Sequence, residues 1–69
     1  MSILSERLRF LRNGRGLKQE ELVELLGISI RSYRRYETGE REPTISIAWK
    51  IADFFGVSVD YLIGRTDEP

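Results

Sequence analysis

Gln19-Glu20-Glu21-Leu22-Val23-Glu24-Leu25-Leu26-Gly27-Ile28-Ser29-Ile30-Arg31-Ser32-Tyr33-Arg34-Arg35-Tyr36-Glu37-Thr38-Gly39 is the stretch whose reading decides the fold. Its opening run, Gln19 to Leu26, repeats leucine at helical spacing, with Leu22, Leu25 and Leu26 expected inward. Glu20 and Glu21 fall in the first turn, where the helix dipole favours negative charge. Gly27 ends the run: glycine enters the left-handed backbone region without strain, so the chain can reverse sharply there. Ser29 is a good N-cap for the next run, Ile30 to Glu37. At 100° per residue this second helix gathers Ile30, Arg31, Arg34 and Arg35 on one face about 140° wide and turns Tyr33 and Tyr36 the opposite way. The tyrosines are expected to anchor the helix and the arginines to be presented.

Working outward, Ile3 to Arg12 carries Leu4, Leu8 and Leu11 on one stripe, with Ser2 or Ser5 as cap and Gly14 or Gly16 as stop. Phe10 falls off that stripe and reads as a partly covered edge residue. Beyond the polar loop Glu40-Arg41-Glu42-Pro43, Thr44 can cap a fourth helix to about Phe55. There Ile45, Ala48, Ile51, Ala52 and Phe55 are expected inward, and Trp49 beside them reads as core. Gly56 breaks that helix, and Ser58 opens a last short one over about Val59 to Ile63, ended by Gly64. The expectation is an all-α domain of five short helices over 1–64, its two-helix motif at about 19–38, followed by a flexible tail, 65–69, with no apolar residue.

Composition narrows the function. With 69 residues and no cysteine or histidine, the chain has one small core, no disulfide, no histidine or cysteine zinc site, and no imidazole for acid–base work. Glu20, Glu21 and Glu24 sit at exposed helical positions rather than converging, so neither catalysis, a cofactor nor a small-molecule ligand is expected. There is no apolar run of membrane-spanning length and no signal-peptide pattern, which places the chain in the cytoplasm with no membrane partner. Eleven basic residues balance eleven acidic ones, but unevenly. Residues 1–50 carry ten basic side chains against seven acidic, while 51–69 carry Arg65 against Asp53, Asp60, Asp67 and Glu68. One end is basic.

Two short helices joined by a tight glycine turn, the second docked by apolar rings and presenting arginines, form the geometry that enters a DNA major groove about 12 Å wide. Gln19-Glu20-Glu21-Leu22, Leu26-Gly27-Ile28-Ser29, Tyr36-Glu37-Thr38-Gly39, Pro43 and the ending Gly56-Val57-Ser58-Val59-Asp60-Tyr61-Leu62 together resemble the Cro/repressor-type (XRE-like) helix-turn-helix family of phage and bacterial regulators. The likeness runs over about residues 5–64. It implies a lambda-repressor-like five-helix bundle that binds double-stranded DNA.

Carried over by position, the resemblance implies that Ile30, Arg31, Arg34 and Arg35 read bases. Gln19 matches a phosphate-binding glutamine, and Ser29 a cap that touches the DNA backbone. Arg12 and Glu37 match a buried ion pair between the first and third helices. Lys18 stands where the family has Ser or Thr and is a phosphate candidate instead, as is Arg41 in the loop; Arg7, Arg9 and Arg15 read as solvent-facing. Val23 replaces the family's alanine, and Tyr33 replaces an aliphatic residue, so a buried hydroxyl needs an acceptor. Val59, Tyr61 and Ile63 offer more apolar surface than so small a core absorbs. In the family this region forms a two-fold contact that sets two reading helices one DNA turn, about 34 Å, apart. A homodimeric repressor on an inverted-repeat operator is therefore expected; the rival reading is an antitoxin-like or regulator-sequestering protein-interaction module.

Overall fold

Five helices account for most of the chain: α1 (Ile3–Gly14), α2 (Gln19–Leu26), α3 (Ile30–Thr38), α4 (Ile45–Phe55) and α5 (Val59–Leu62). The computed structural model describes residues 2–69, among which there is no strand; Met1, the first residue of the expected 1–64 domain, lies outside them. Each helix start has a hydrogen-bonding reason. Ser2 and Ser5 exchange side-chain-to-backbone bonds of 3.0 and 3.1 Å at the head of α1. Ser29, Thr44 and Ser58 each accept from the backbone N–H three residues on. Lys18 cannot cap α2 with its own side chain, and the Glu21 carboxylate accepts from the Lys18 N–H at 2.9 Å instead. Between α2 and α3 the backbone turns through Gly27 at φ 68°, and the Gly27 and Ile28 N–H groups both bond the Val23 carbonyl.

Each helix sends one side chain to the centre: Leu8, Leu22, Tyr33, Ile51 and Leu62 are all fully buried. Around them close Leu4, Leu26, Tyr36, Ala48, Ala52 and Phe55. α3 rests on α1 and α2, α4 on α2 and α5, and α5 returns to α1. That return is tight. Gly64, at φ 89°, passes so near Ile3 that a Cβ there would lie 2.7 Å from the Ile3 Cγ2.

Four apolar side chains expected at or beside the core are instead exposed: Ile45 (79%), Phe10 (69%), Leu25 (62%) and Trp49 (61%). Helical phase explains them. In α2 the buried pair Leu22 and Leu26 is flanked by Val23, which packs on the core. Leu25 lies about 60° round on the other side of Leu22. The centre of the α4 stripe (Ala48, Ile51, Ala52, Phe55) lies about 70° from Ile45 and about 110° from Trp49. Ile45 also begins its helix, with no turn before it to help cover it.

Residues 65–69, expected as a tail, make defined contacts. The Pro69 carbonyl accepts from Ser58 N at 2.9 Å, and the Arg65 N–H donates to the Asp60 carbonyl at 2.8 Å. Arg7, read from sequence as solvent-facing, donates to the carbonyls of Tyr61 and Thr66 and to Asp67 at 2.7 Å, with its guanidinium 4.1 Å from the Tyr61 ring centre. Arg15, read the same way, is exposed, though it also donates to the Phe55 carbonyl at 3.2 Å and stands over the Phe54 and Phe55 rings. Arg9 is half-buried.

Candidate nucleic-acid interface

α3 owes its orientation to two rings and one carboxylate. Tyr33, Tyr36 and Glu37 are its buried residues, within about 100° of helix circumference. Opposite them Arg31 and Arg35 are exposed; Arg34 is exposed on the flank that faces α2, and Ile30, on the same flank, is half-buried. Ser29 is exposed at the helix start, with its hydroxyl engaged as the cap. The loop after α3 folds back, since the Arg41 N–H donates to the Arg35 carbonyl at 3.3 Å, and this brings the exposed Arg41 beside the end of the arginine face. Lys18 is exposed and Gln19 half-buried at the head of α2.

Below this surface lies a hub built on Glu37. Arg12 grips its carboxylate with two bonds, Nε to Oε2 at 2.6 Å and a terminal nitrogen to Oε1 at 3.1 Å. Arg12 also donates to the Leu17 carbonyl at 2.8 Å, which ties down the turn leading into α2. Tyr33 donates its hydroxyl to Glu37 Oε2, and Gln19 donates Nε2 to Oε1 at 3.0 Å. The carboxylate thus fastens α1, α2 and α3 together, and no buried side-chain nitrogen or oxygen among the described residues lacks a partner. A buried charge of this kind is tolerable only when fully paired.

The electrostatics follow from that pairing. Burial alone would push the Glu37 carboxyl up, but the bonds from Arg12, Tyr33 and Gln19 outweigh it and hold the group below the ordinary carboxylate value. The Tyr33 hydroxyl is driven upward, first by burial and then by the carboxylate it donates to, so it stays protonated. Arg12 is raised chiefly by its bond to Glu37.

Two features take their geometry from how the helices pack and not from sequence spacing. Arg34 leans toward α2, its Nε donating to Gln19 Oε1 at 3.2 Å and a terminal nitrogen to Glu20 at 3.3 Å. Between α1, α4 and α5 opens an apolar groove of about 500 Å³ whose lining includes Ile3, Leu4, Pro43, Ile45, Val59 and Ile63. Of the side chains expected in a subunit contact, Val59 and Ile63 line this groove; Tyr61 is half-buried under Arg7.

A glycine-turned helix pair whose second member is docked by buried rings and exposes arginines defines a helix-turn-helix protein. The chain belongs to the XRE-type helix-turn-helix family, whose model matches residues 8–62, a family of DNA-binding transcriptional regulators that includes phage repressors. It is 41% identical over 64 residues to the HTH-type transcriptional regulator YobD of Bacillus subtilis, covering 93% of this chain and 57% of that one. It is 42% identical over 67 residues to the cryptic phage CTXphi transcriptional repressor RstR of Vibrio cholerae, covering 94% and 60%. The HTH-type transcriptional regulator MJ0272 of Methanocaldococcus jannaschii is matched over its whole length at 36% identity, with 94% of this chain covered. A crystal structure of a transcriptional regulator from Listeria innocua superposes with a TM-score of 0.83 at 33% identity, over 96% of this chain and 62% of that one. The chain therefore spans about three fifths of YobD and RstR. No helix among the described residues is long and apolar enough to cross a membrane.

Proposed function

We propose that this domain is a sequence-specific DNA-binding repressor that acts in the cytoplasm as a homodimer on an inverted-repeat operator, with α3 in the major groove. The observation that carries the reading is the split of α3 into a buried side, Tyr33 and Tyr36, and an exposed basic side, Arg31, Arg34 and Arg35. Arginine forks match guanine edges and phosphates, and a helix held by its rings presents them at little further entropic cost. Lys18, Gln19, Ser29 and Arg41 border that face and would contact phosphates, setting register, while Ile30, Arg31 and Arg35 supply sequence preference. The name of RstR supports the repressor role. A second copy seated on the groove beside Val59 and Ile63 would supply the other half-site reader.

Selection of bound duplexes from a random pool tests the reading, followed by binding of variants to the selected duplex. Arg35→Ala should cost about 1–3 kcal/mol and relax preference at one base pair, whereas Gln19→Ala should weaken all duplexes alike. Arg35→Ala binding selected and scrambled duplexes as the parent does would remove α3 as the reader.

A second reading, a protein-interaction module, draws on the exposed Phe10, Leu25 and Trp49. Salt separates the two. A groove binder loses affinity steeply, with a log–log slope of about −0.9 per phosphate neutralised, whereas a protein binder shows almost no duplex binding even at low salt.

A further inference from the structure

Within the DNA-binding reading, on which this inference rests, the four outward residues of α3 do not stand alike. The centre of the buried arc of Tyr33, Tyr36 and Glu37 lies about 165° from Arg31 and about 155° from Arg35, but only about 105° from Arg34. Arg31 and Arg35 project straight out from the body; Arg34 projects sideways, over the head of α2. Its hydrogen bonds follow that direction, to Gln19 Oε1 at 3.2 Å and to Glu20 at 3.3 Å.

The amide of Gln19 is oriented by the hub. Its Nε2 donates to Glu37, so its Oε1 must face away from that carboxylate, and Oε1 is where Arg34 donates. Nε2 carries a second N–H besides the one given to Glu37, on an amide whose oxygen already meets the guanidinium. A phosphate oxygen there would receive that N–H and the fork of Arg34 together. The group now occupying the place is the Glu20 carboxylate. Arg34 and Glu20 are 56% and 65% exposed and meet at 3.3 Å, a long, solvated ion pair that a doubly held phosphate can displace.

We infer that Arg34 is a phosphate-binding residue acting with Gln19, that Glu20 competes with DNA for it, and that base reading falls to Arg31, Arg35 and Ile30. Glu20 thereby sets a level of affinity common to all sequences, and specificity lies elsewhere on the helix.

The test compares the parent, Arg34→Ala, Arg34→Lys, Arg35→Ala and Glu20→Gln on the duplex selected by the parent and on a scrambled duplex of equal length, across a salt series. Arg34→Ala should weaken both duplexes by the same factor and make the salt slope shallower by about 0.9, one phosphate. Arg34→Lys, which keeps the charge and loses the fork, should retain most of that slope and the same selected-to-scrambled ratio. Glu20→Gln should tighten both duplexes equally, most at low salt. Only Arg35→Ala should lower the ratio. If Arg34→Ala or Arg34→Lys collapses the ratio while the parent still discriminates, Arg34 reads a base and this assignment fails, although the DNA-binding reading stands. Glu20→Gln binding as the parent does would overturn the competition, and a parent that binds neither duplex would overturn both readings.

Discussion

Replacing Tyr33 with phenylalanine removes one oxygen and leaves the ring in a fully buried place between α1 and α2. That oxygen donates to Glu37, which keeps Arg12 and Gln19 as its remaining donors. A hydrogen bond to a charged acceptor contributes about 1.5–3 kcal/mol, and the loss here is expected near 2 kcal/mol because no donor replaces the hydroxyl. For a domain of this length, total stability is on the order of 3–10 kcal/mol, so Tyr33→Phe should remove a fifth or more of it. At about 4–8 °C per kcal/mol the melting temperature should fall by about 8–16 °C. Reversible urea denaturation and thermal melts followed by circular dichroism measure both quantities, and an unchanged m-value would show that the unfolded state is not responsible. Combining Tyr33→Phe with Glu37→Gln gives a double-mutant cycle, whose coupling should reach about 1 kcal/mol. If the phenylalanine variant melts with the parent and the coupling is nil, the hydroxyl does not support the hub and the account of how α3 is held is wrong.

The same hub sets a pH dependence. Glu37 is held below the unfolded value of 4.5, so its contribution is whole above that pH and is lost as pH falls beneath it, because the unfolded chain takes up the proton first. Melts from pH 7 to pH 3 should follow that course, with a weaker acid limb in Glu37→Gln. Tyr33 is shifted the other way, so stability should also decline above pH 10.0, where the unfolded phenol ionises and the folded one does not. Ile63→Glu or Ile45→Glu should convert a dimer to monomer in sedimentation velocity and weaken binding to a two-half-site duplex more than to a single half-site. Phe10→Ser and Leu25→Ser should change stability by less than about 0.5 kcal/mol, whereas Leu8→Ala should cost about 2–5 kcal/mol; chemical denaturation distinguishes them.

Helix boundaries were legible because short polar caps and glycines carry local information. Thr44, Ser58, Gly27 and Gly56 act within a turn of where they stand, and the five helices begin and end within two residues of the expected bounds. The buried side of α3 was legible for a related reason: two tyrosines at i and i+3 define a face on their own. What could not be read depends on neighbours distant in sequence. Leu25 and Val23 flank the same stripe of α2, and only the packing around α2 decides that Val23 is the one covered. Arg7 meets partners more than fifty residues away, so no periodicity announces it. At the candidate interface, the outward arginines followed from helical phase. The lean of Arg34 toward Glu20 did not, since it depends on how α2 and α3 cross.

The close passage of Gly64 beneath Ile3 bears on how this domain can be handled. It brings the chain just after α5 against the first turn of α1, next to Ser2 on the groove wall, while Pro69 is hydrogen-bonded to Ser58 at the other end of that four-residue helix. With a glycine linker between residues 2 and 69 and new ends in the exposed Glu40–Glu42 loop, a circular permutant should fold, as a thermal melt would check. A fluorescent reporter fused at residue 2 would emerge beside the groove and crowd whatever docks there, so a permuted chain is the better scaffold for imaging.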